Sequence, residues 1–489
     1  MIYDNVVVGS SISALGCLLG LIKSNKKILC IDGSENNSES KKNDTDNELL
    51  FTKQNIPNKN YQFKENKTNN LNPIEVLKNY SFGGLSNVWG ASCLRFLEED
   101  FHDWPISYDE LKEYYSLCEK IMNVSHFDDD ISKYYNISKD QIDNKKLSLY
   151  SDFIKDFLQK KKKYSQFTIG YSRVALDPKC YKCANCFFGC KDNYIFNTKD
   201  YINKLINNKQ IEYKENLVLN RFIKRDKIIE LEFQNPNIKP IFTKKLFIGA
   251  GSIQTPRIVI NSLNKKIDLN LKESQVFFIP CIYTRKTFKR SLESHTLNQA
   301  QFFFKNNIKH KLGKIHYQIK YDVKLTRAIL NKQFGLLSKL IPNALIERIF
   351  LITGFVNSEH STFIAKIKKE KLNIEVFENK SNKKKIKKEV ISQIKVLEKM
   401  YKFLSIKPYL KLGDFGISYH LGSSIPMLKK TENIKTQNNC IYTKKNGEIS
   451  EFNNVFLIDS TNFTNIPSGS ISLTLMANAL RIGKENSGD

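Results

Sequence analysis

Residues 2–34 constrain this chain more than any others, because they read as strand, tight turn, helix and strand in immediate succession. Val6, Val7 and Val8 make a β-branched run that stops at Gly9, after which Ile12, Leu15, Leu18, Leu19 and Ile22 recur at helical spacing. The next apolar run, Ile28 to Ile31, ends in Asp32. A βαβ unit binds a dinucleotide when small residues line its first turn, since only a bare backbone lets a pyrophosphate approach the positive N-terminus of the helix. Gly9, Ser11 and Ala14 stand where three glycines usually stand, and Asp32, 23 residues past Gly9, is placed to accept hydrogen bonds from an adenosine ribose. Alone, this altered fingerprint also fits an ordinary α/β edge unit. Its position at the start of a long chain favours FAD.

Length and charge set the next limits. At 489 residues the chain exceeds the size at which one hydrophobic core keeps growing, which predicts two packed domains. An apolar fraction of 41% supports a core and argues against global disorder. Lys and Arg outnumber Asp and Glu by 77 to 50, a balance of +27 that favours anionic partners. Lys, Asn and Ile are abundant throughout, however, as codon bias in an AT-rich genome produces. The densest basic runs, 160–163 and 383–388, lack the interleaved aromatics of a base-stacking surface, so no nucleic-acid partner is expected. No targeting segment is read at the N-terminus, where Asp4 stands in place of a basic region, and a cytoplasmic chain is expected, with contact to the inner membrane at most peripheral. Residues 35–72 turn polar and aperiodic and read as a flexible insertion.

Three further blocks carry a specific resemblance. Ser81-Phe-Gly-Gly-Leu-Ser-Asn-Val-Trp-Gly-Ala91, followed by Asp103-Trp-Pro-Ile-Ser-Tyr-Asp-Glu-Leu111, resembles the second flavin signature of the glucose-methanol-choline oxidoreductases. Lys245-Leu-Phe-Ile-Gly-Ala-Gly-Ser-Ile-Gln-Thr-Pro-Arg257 is similar to that family's strand and glycine turn closing the FAD site, and Ser418-Tyr-His-Leu-Gly-Ser-Ser-Ile-Pro-Met427 with 454–483 to its active-site segment and terminal strand and helix. The resemblance implies an α/β chain: a Rossmann-like, three-layer ββα FAD-binding domain joined to a discontinuous α+β substrate-binding domain on an antiparallel sheet. It also implies an FAD site formed by Gly83, Gly84, Ser86, Asn87, Trp89, Gly90, Val218, Ala250, Gly251, Asp459 and Ser472, beside Gly9, Ser11, Ala14 and Asp32. Val88 stands where some relatives tether FAD through a His, which predicts a non-covalent flavin.

Oxidising an alcohol needs a base for the hydroxyl proton while hydride leaves carbon, and an imidazole suits that task. His420 occupies the family's catalytic-histidine position, whereas Ser470 replaces the usual second Asn or His: a group able to position a substrate oxygen but a poor base. His360 is a further polar residue on an expected substrate-domain strand. Cys180, Cys183, Cys186 and Cys190 have the spacing C-x2-C-x2-C-x3-C that opens a bacterial ferredoxin run. Members of the family that act on sugars carry an iron–sulfur cluster in such a loop, and the resemblance is closest to them; structural zinc and an empty loop are the alternatives.

The expected organisation is FAD-binding segments 1–125, 196–275 and 408–489, a cap segment 126–195 holding the cysteine loop 180–190, and a substrate-binding segment 276–407. Alternation over 299–304 and 314–321 predicts strands, and Ile386, Val390, Ile394 and Leu397 predict a helix packed on them. The basic, amphipathic stretch 325–350 reads as a packed insertion, a lid or a peripheral membrane contact. The function implied is FAD-dependent dehydrogenation of a sugar or other alcohol, with electrons leaving through the cluster to an acceptor protein or quinone. The rival readings are a reductase running in reverse and a non-catalytic basic scaffold with a flavin fold.

Overall fold

The computed structural model describes residues 1–34, 63–64, 75–76, 81–142, 158, 167–188, 190–263, 267–284, 295–304, 312, 314–368, 374–429 and 441–488. Apart from 63–64, the polar insertion read over 35–72 lies outside the described residues, as does the basic run 160–163.

The first strand, Ile2–Val8, is flanked on one side by Ile28–Ile31 and on the other by Ile241–Ile248, all parallel. Its valines are buried on both faces, which is why the run is continuous rather than alternating. Glu212–Lys214 extends the sheet beyond Ile28–Ile31. At the other edge the strand Ile241–Ile248 divides: its last residues pair in parallel with Val455–Leu457, while its first pair antiparallel with Ile228–Phe233, which continues to Leu219–Arg225. Helices Ile12–Leu21, Tyr108–Ile121 and Ser472–Glu485 share one core cluster on one side of this sheet. A second cluster joins the opposite side to the antiparallel strands. The first and last helices pack backbone to backbone, because a Cβ on Gly16 would stand 2.5 Å from the carbonyl oxygen of Met476.

The second large sheet is antiparallel throughout, in the order Phe403–Ser405, Val276–Tyr283, Ile349–Val356, Ile315–Lys320, Ala300–Phe304 and Phe167–Tyr171. Residues directly opposite share a face. Phe277, Tyr317, Phe302 and Ile169 therefore form an apolar face, in one core with Ile386, Val390, Ile394 and Leu397 of the helix Lys380–Tyr401. Tyr317 fixes that contact by donating its hydroxyl to Gln393 at 2.5 Å. The other face is polar yet buried: Gln301 opposes Gln318, which opposes Thr353, and Phe303 opposes His316, which opposes Phe355. His360 lies on a 3-10 turn, Ser358–His360, rather than a strand.

Candidate active site

The carboxyl ends of the parallel strands converge on the N-terminus of the first helix. Gly9 has φ +105°, and a Cβ there would lie 2.5 Å from the carbonyl oxygen of Gly249, so the turns after the first strand and after Ile241–Ile248 touch through bare backbone. This is the point where strand order reverses, outside which ligands of open α/β sheets bind. Ser11 makes no side-chain cap for its helix, nor does Ile471 for the C-terminal helix that starts at Ser472, and neither first turn holds an acid. Both helix ends thus keep backbone donors for an anionic group.

Polar side chains knit this end together. Asp32 accepts from the Ser10 hydroxyl and, at 2.8 Å, from the Ser34 N–H; burial outweighs these bonds and raises its carboxyl to about 6. The Ser10 hydroxyl also accepts from Gly83 N–H at 2.8 Å, and Thr198 donates to the Ser10 carbonyl at 2.8 Å. Gly84 adjoins Ser11, Ser86 donates to the Gly83 carbonyl at 2.7 Å, Asn87 accepts from Asn197 at 2.8 Å, and Trp89 donates to the Phe196 carbonyl at 2.9 Å. Ala14 is buried within the first helix. Val218 precedes its strand, next to Leu217, whose N–H donates to the Asp32 carbonyl at 2.9 Å.

A second carboxylate closes the other side. Asp459 accepts from Gly251 N–H at 2.8 Å, from Thr255 at 2.5 Å and from Thr461 N–H at 3.0 Å, while Thr255 accepts from Ala250 N–H at 3.0 Å. Burial holds the Asp459 carboxyl above its ordinary range despite these donors. Space is open where Gly251 and Gly90 would carry a Cβ. Bare glycine turns, two buried carboxylates and two helix ends without side-chain caps fit a dinucleotide such as FAD.

His420 is fixed between this end and the polar sheet face. Its N–H donates to Ser418 at 3.1 Å, and Ser418 donates to the buried Glu273 at 2.7 Å, whose carboxyl burial raises to about 7. The following residues, Leu421–Gly422, pair with the strand Leu269–Glu273, and Ser460 donates to the Leu421 carbonyl at 2.6 Å, next to Asp459. The imidazole stacks on Phe355 with centroids 4.7 Å apart, and its buried Nδ1 has no hydrogen-bond partner among the described residues. Burial first, and the Lys320 ammonium second, lower its pKa to about 4. Burial likewise lowers Lys320 to about 8.

Ser470 joins the same region from the other side. Its hydroxyl donates to the Ser92 carbonyl, and Gln318 donates to the Ser92 hydroxyl at 3.1 Å. Gln318 is two residues from His316 on one strand, so the Ser470 and His420 contacts fall on one sheet face, about 7 Å apart along the strand. Phe303, His316 and Phe355 continue the ring stack, with centroids 4.9 and 6.1 Å apart. Burial, with a smaller contribution from His420, lowers His316 to about 3. Both nitrogens of His316, both amide atoms of Gln301 and the Thr353 hydroxyl are buried without hydrogen-bond partners among the described residues.

Sequence reasoning missed Ser10, Thr198 and Thr255, and with them His316, Gln301, Gln318 and Thr353. Ser10 lies inside the fingerprint and was legible as part of it. Alternating polar residues on a strand, by contrast, mimic a solvent face until another domain is known to cover them.

The cysteine loop reaches the sheet beside Lys320, whose ammonium lies 5.8 Å from the centroid of the Phe187 ring. Cys180, Cys183, Cys186 and Cys190 line one pocket with Lys182, Lys191, Tyr194 and His295. Cys186 accepts from Thr296 N–H at 3.3 Å and Cys190 from Tyr194 N–H at 3.2 Å. Burial raises the Cys186 thiol to about 11. The expected ligand set is not gathered: among the described residues no three His, Cys, Asp or Glu side chains stand where they could hold a metal ion. The spacing brings four thiols to one pocket without bringing them to coordinating positions.

No protein family and no curated protein matches the chain at the level of sequence. Among solved structures, pyridoxine 4-oxidase from Mesorbium loti is similar over 99% of each chain, with a TM-score of 0.62 and 11% identity. The likeness is one of fold.

Proposed function

We propose that this chain is an FAD-dependent oxidoreductase that oxidises an alcohol, a hydroxyl-rich small molecule such as a sugar or polyol, with His420 as the base. The observation that carries the reading is the placement of a buried imidazole, its Nδ1 without a partner among the described residues, on a sheet face where the Gln301 amide, the Thr353 hydroxyl and the His316 imidazole also lack partners among the described residues. Buried polar atoms without partners cost stability, and a hydroxylated ligand offers both the donors and the acceptors they lack. The fold it shares with pyridoxine 4-oxidase, by name an oxidase of pyridoxine, agrees with oxidative chemistry.

Bound FAD supplies the acceptor for the hydride leaving the carbinol carbon. His420 accepts the hydroxyl proton as hydride leaves; burial and the Lys320 ammonium keep the imidazole neutral at physiological pH, the form able to accept it. Ser470 spends its own proton on the Ser92 carbonyl, which leaves its oxygen to accept a hydrogen bond from substrate rather than act as base. Glu273 and Ser418 hold the His420 backbone, and Phe355 fixes the plane of its ring.

For the electrons' exit, the cysteine spacing alone favours an iron–sulfur cluster. Among the described residues the thiols are not gathered into a ligand set, so the loop has no assigned step.

The test is anaerobic mixing of the FAD-loaded protein with a panel of sugars, polyols and other alcohols. At least one should bleach the flavin, and His420→Ala should keep FAD while losing the bleaching. Bleaching by reduced electron carriers but by no alcohol would favour the reductase reading, and wild-type bleaching in the variant would remove His420 from the chemistry. Reoxidation by oxygen or only by artificial acceptors then separates oxidase from dehydrogenase.

A further inference from the structure

We infer that residues 334–345 form a docking surface for an anionic lipid bilayer, independently of the chemistry proposed above. The helix Val323–Phe334 is capped by Asp322, which accepts from Leu325 N–H at 2.9 Å, and it ends at Gly335, where φ is +56°. A 3-10 turn, Gly335–Leu340, and a short helix, Asn343–Ile346, carry the chain back to the strand Ile349–Val356. The protrusion is anchored at its base, where Val323, Ile346 and Phe350 are buried and Tyr321 donates to the Glu347 carbonyl at 2.6 Å.

Its tip is inverted in polarity. Leu336, Leu337 and Leu340 are 79%, 67% and 77% exposed, with Phe334 and Leu345 also open to solvent, while Ser338 among them is buried. The Ser338 hydroxyl lies 2.6 Å from the Asn331 side chain and 2.7 Å from the Gly335 carbonyl and bridges the two, so the turn is held in a shape that presents leucines outward. Single exposed apolar residues are ordinary, but a contiguous group held outward by hydrogen bonds marks a contact surface.

Charge selects the occupant. Between Val323 and Ile346 stand Lys324, Arg327, Lys332 and Lys339 and no Asp or Glu, on a chain whose balance is already +27. An apolar tip on a segment that carries cations and no carboxylates suits the boundary between acyl chains and anionic headgroups. A partner protein or second copy would have to bring its own acidic rim, and the abundance of Lys over the whole chain makes self-association the less favourable pairing.

Sedimentation with vesicles tests this, using phosphatidylcholine alone and phosphatidylcholine mixed with phosphatidylglycerol. The full chain should pellet with the mixed vesicles and not with the neutral ones. The charge-preserving variant L336Q/L337Q/L340Q should bind at least about tenfold more weakly, since three leucines leave the lipid. In Leu337→Trp the indole emission should shift to the blue on mixed vesicles. Equal binding by the triple variant would mean that charge alone carries the attraction and would overturn the docking surface. Failure of the full chain to bind, or a concentration-dependent dimer that the triple variant abolishes, would overturn it as well, the latter by showing that a second copy covers the face.

Discussion

The two ends of the candidate site differ in how their buried polar groups are used. Around Gly9 and Asp459, each buried carboxylate already accepts several hydrogen bonds from neighbouring backbone and hydroxyls. On the sheet face before His420, the polar side-chain atoms of His316, Gln301 and Thr353 have no partners among the described residues. A region that satisfies itself is prepared for a ligand that does not change, and one left unsatisfied must be completed by whatever enters. In the proposed function the first is accordingly the seat of the cofactor and the second that of the substrate.

The comparison breaks most sharply at Gly9. A Cβ there meets the Gly249 carbonyl, so Gly9→Val should yield protein that fails to retain FAD, as titration with the cofactor would reveal; full FAD uptake by this variant would dissociate the glycine turn from the cofactor. Next in size is His420→Ala, expected to lower kcat by about 10²- to 10⁴-fold with FAD content unchanged in the absorption spectrum.

Gln301→Leu sharpens the contrast. Removing two unsatisfied buried atoms should leave Tm unchanged or higher, while KM for the alcohol rises by about 5- to 150-fold, the loss of roughly 1–3 kcal/mol of binding. A fall in Tm without change in KM would mean the amide serves the fold. The smallest effect is expected at Lys320→Met. With His420 acting as the proposed base, activity should fall only as pH drops toward about 4, and losing the nearby ammonium should move that limb of the kcat/KM profile to higher pH. A shift downward, or none, would separate the two residues electrostatically.

The same contrast explains what was legible in the sequence. Gly9, Gly83 and Gly251 announce themselves because each adopts a positive φ, 105°, 87° and 92°, a backbone conformation that dictates residue type locally. The strand alternation around Gln301 and Gln318 was equally visible. Its meaning was not, because the face is assembled from strands more than 30 residues apart in part, such as Ile315–Lys320 and Ile349–Val356, and covered by a segment around Ser92 and His420 from elsewhere in the chain. The cysteine spacing was legible as well, but spacing alone did not bring the thiols into coordinating positions.

The proposed chemistry requires one FAD resident where the turns after the first strand and after Ile241–Ile248 meet. Its most direct test is the absorption spectrum and cofactor content of the natively purified, folded protein, followed by addition of FAD. Stoichiometric, non-covalent FAD, released on denaturation, is the expected result. A folded protein that is colourless and takes up no added FAD would contradict the account at its base.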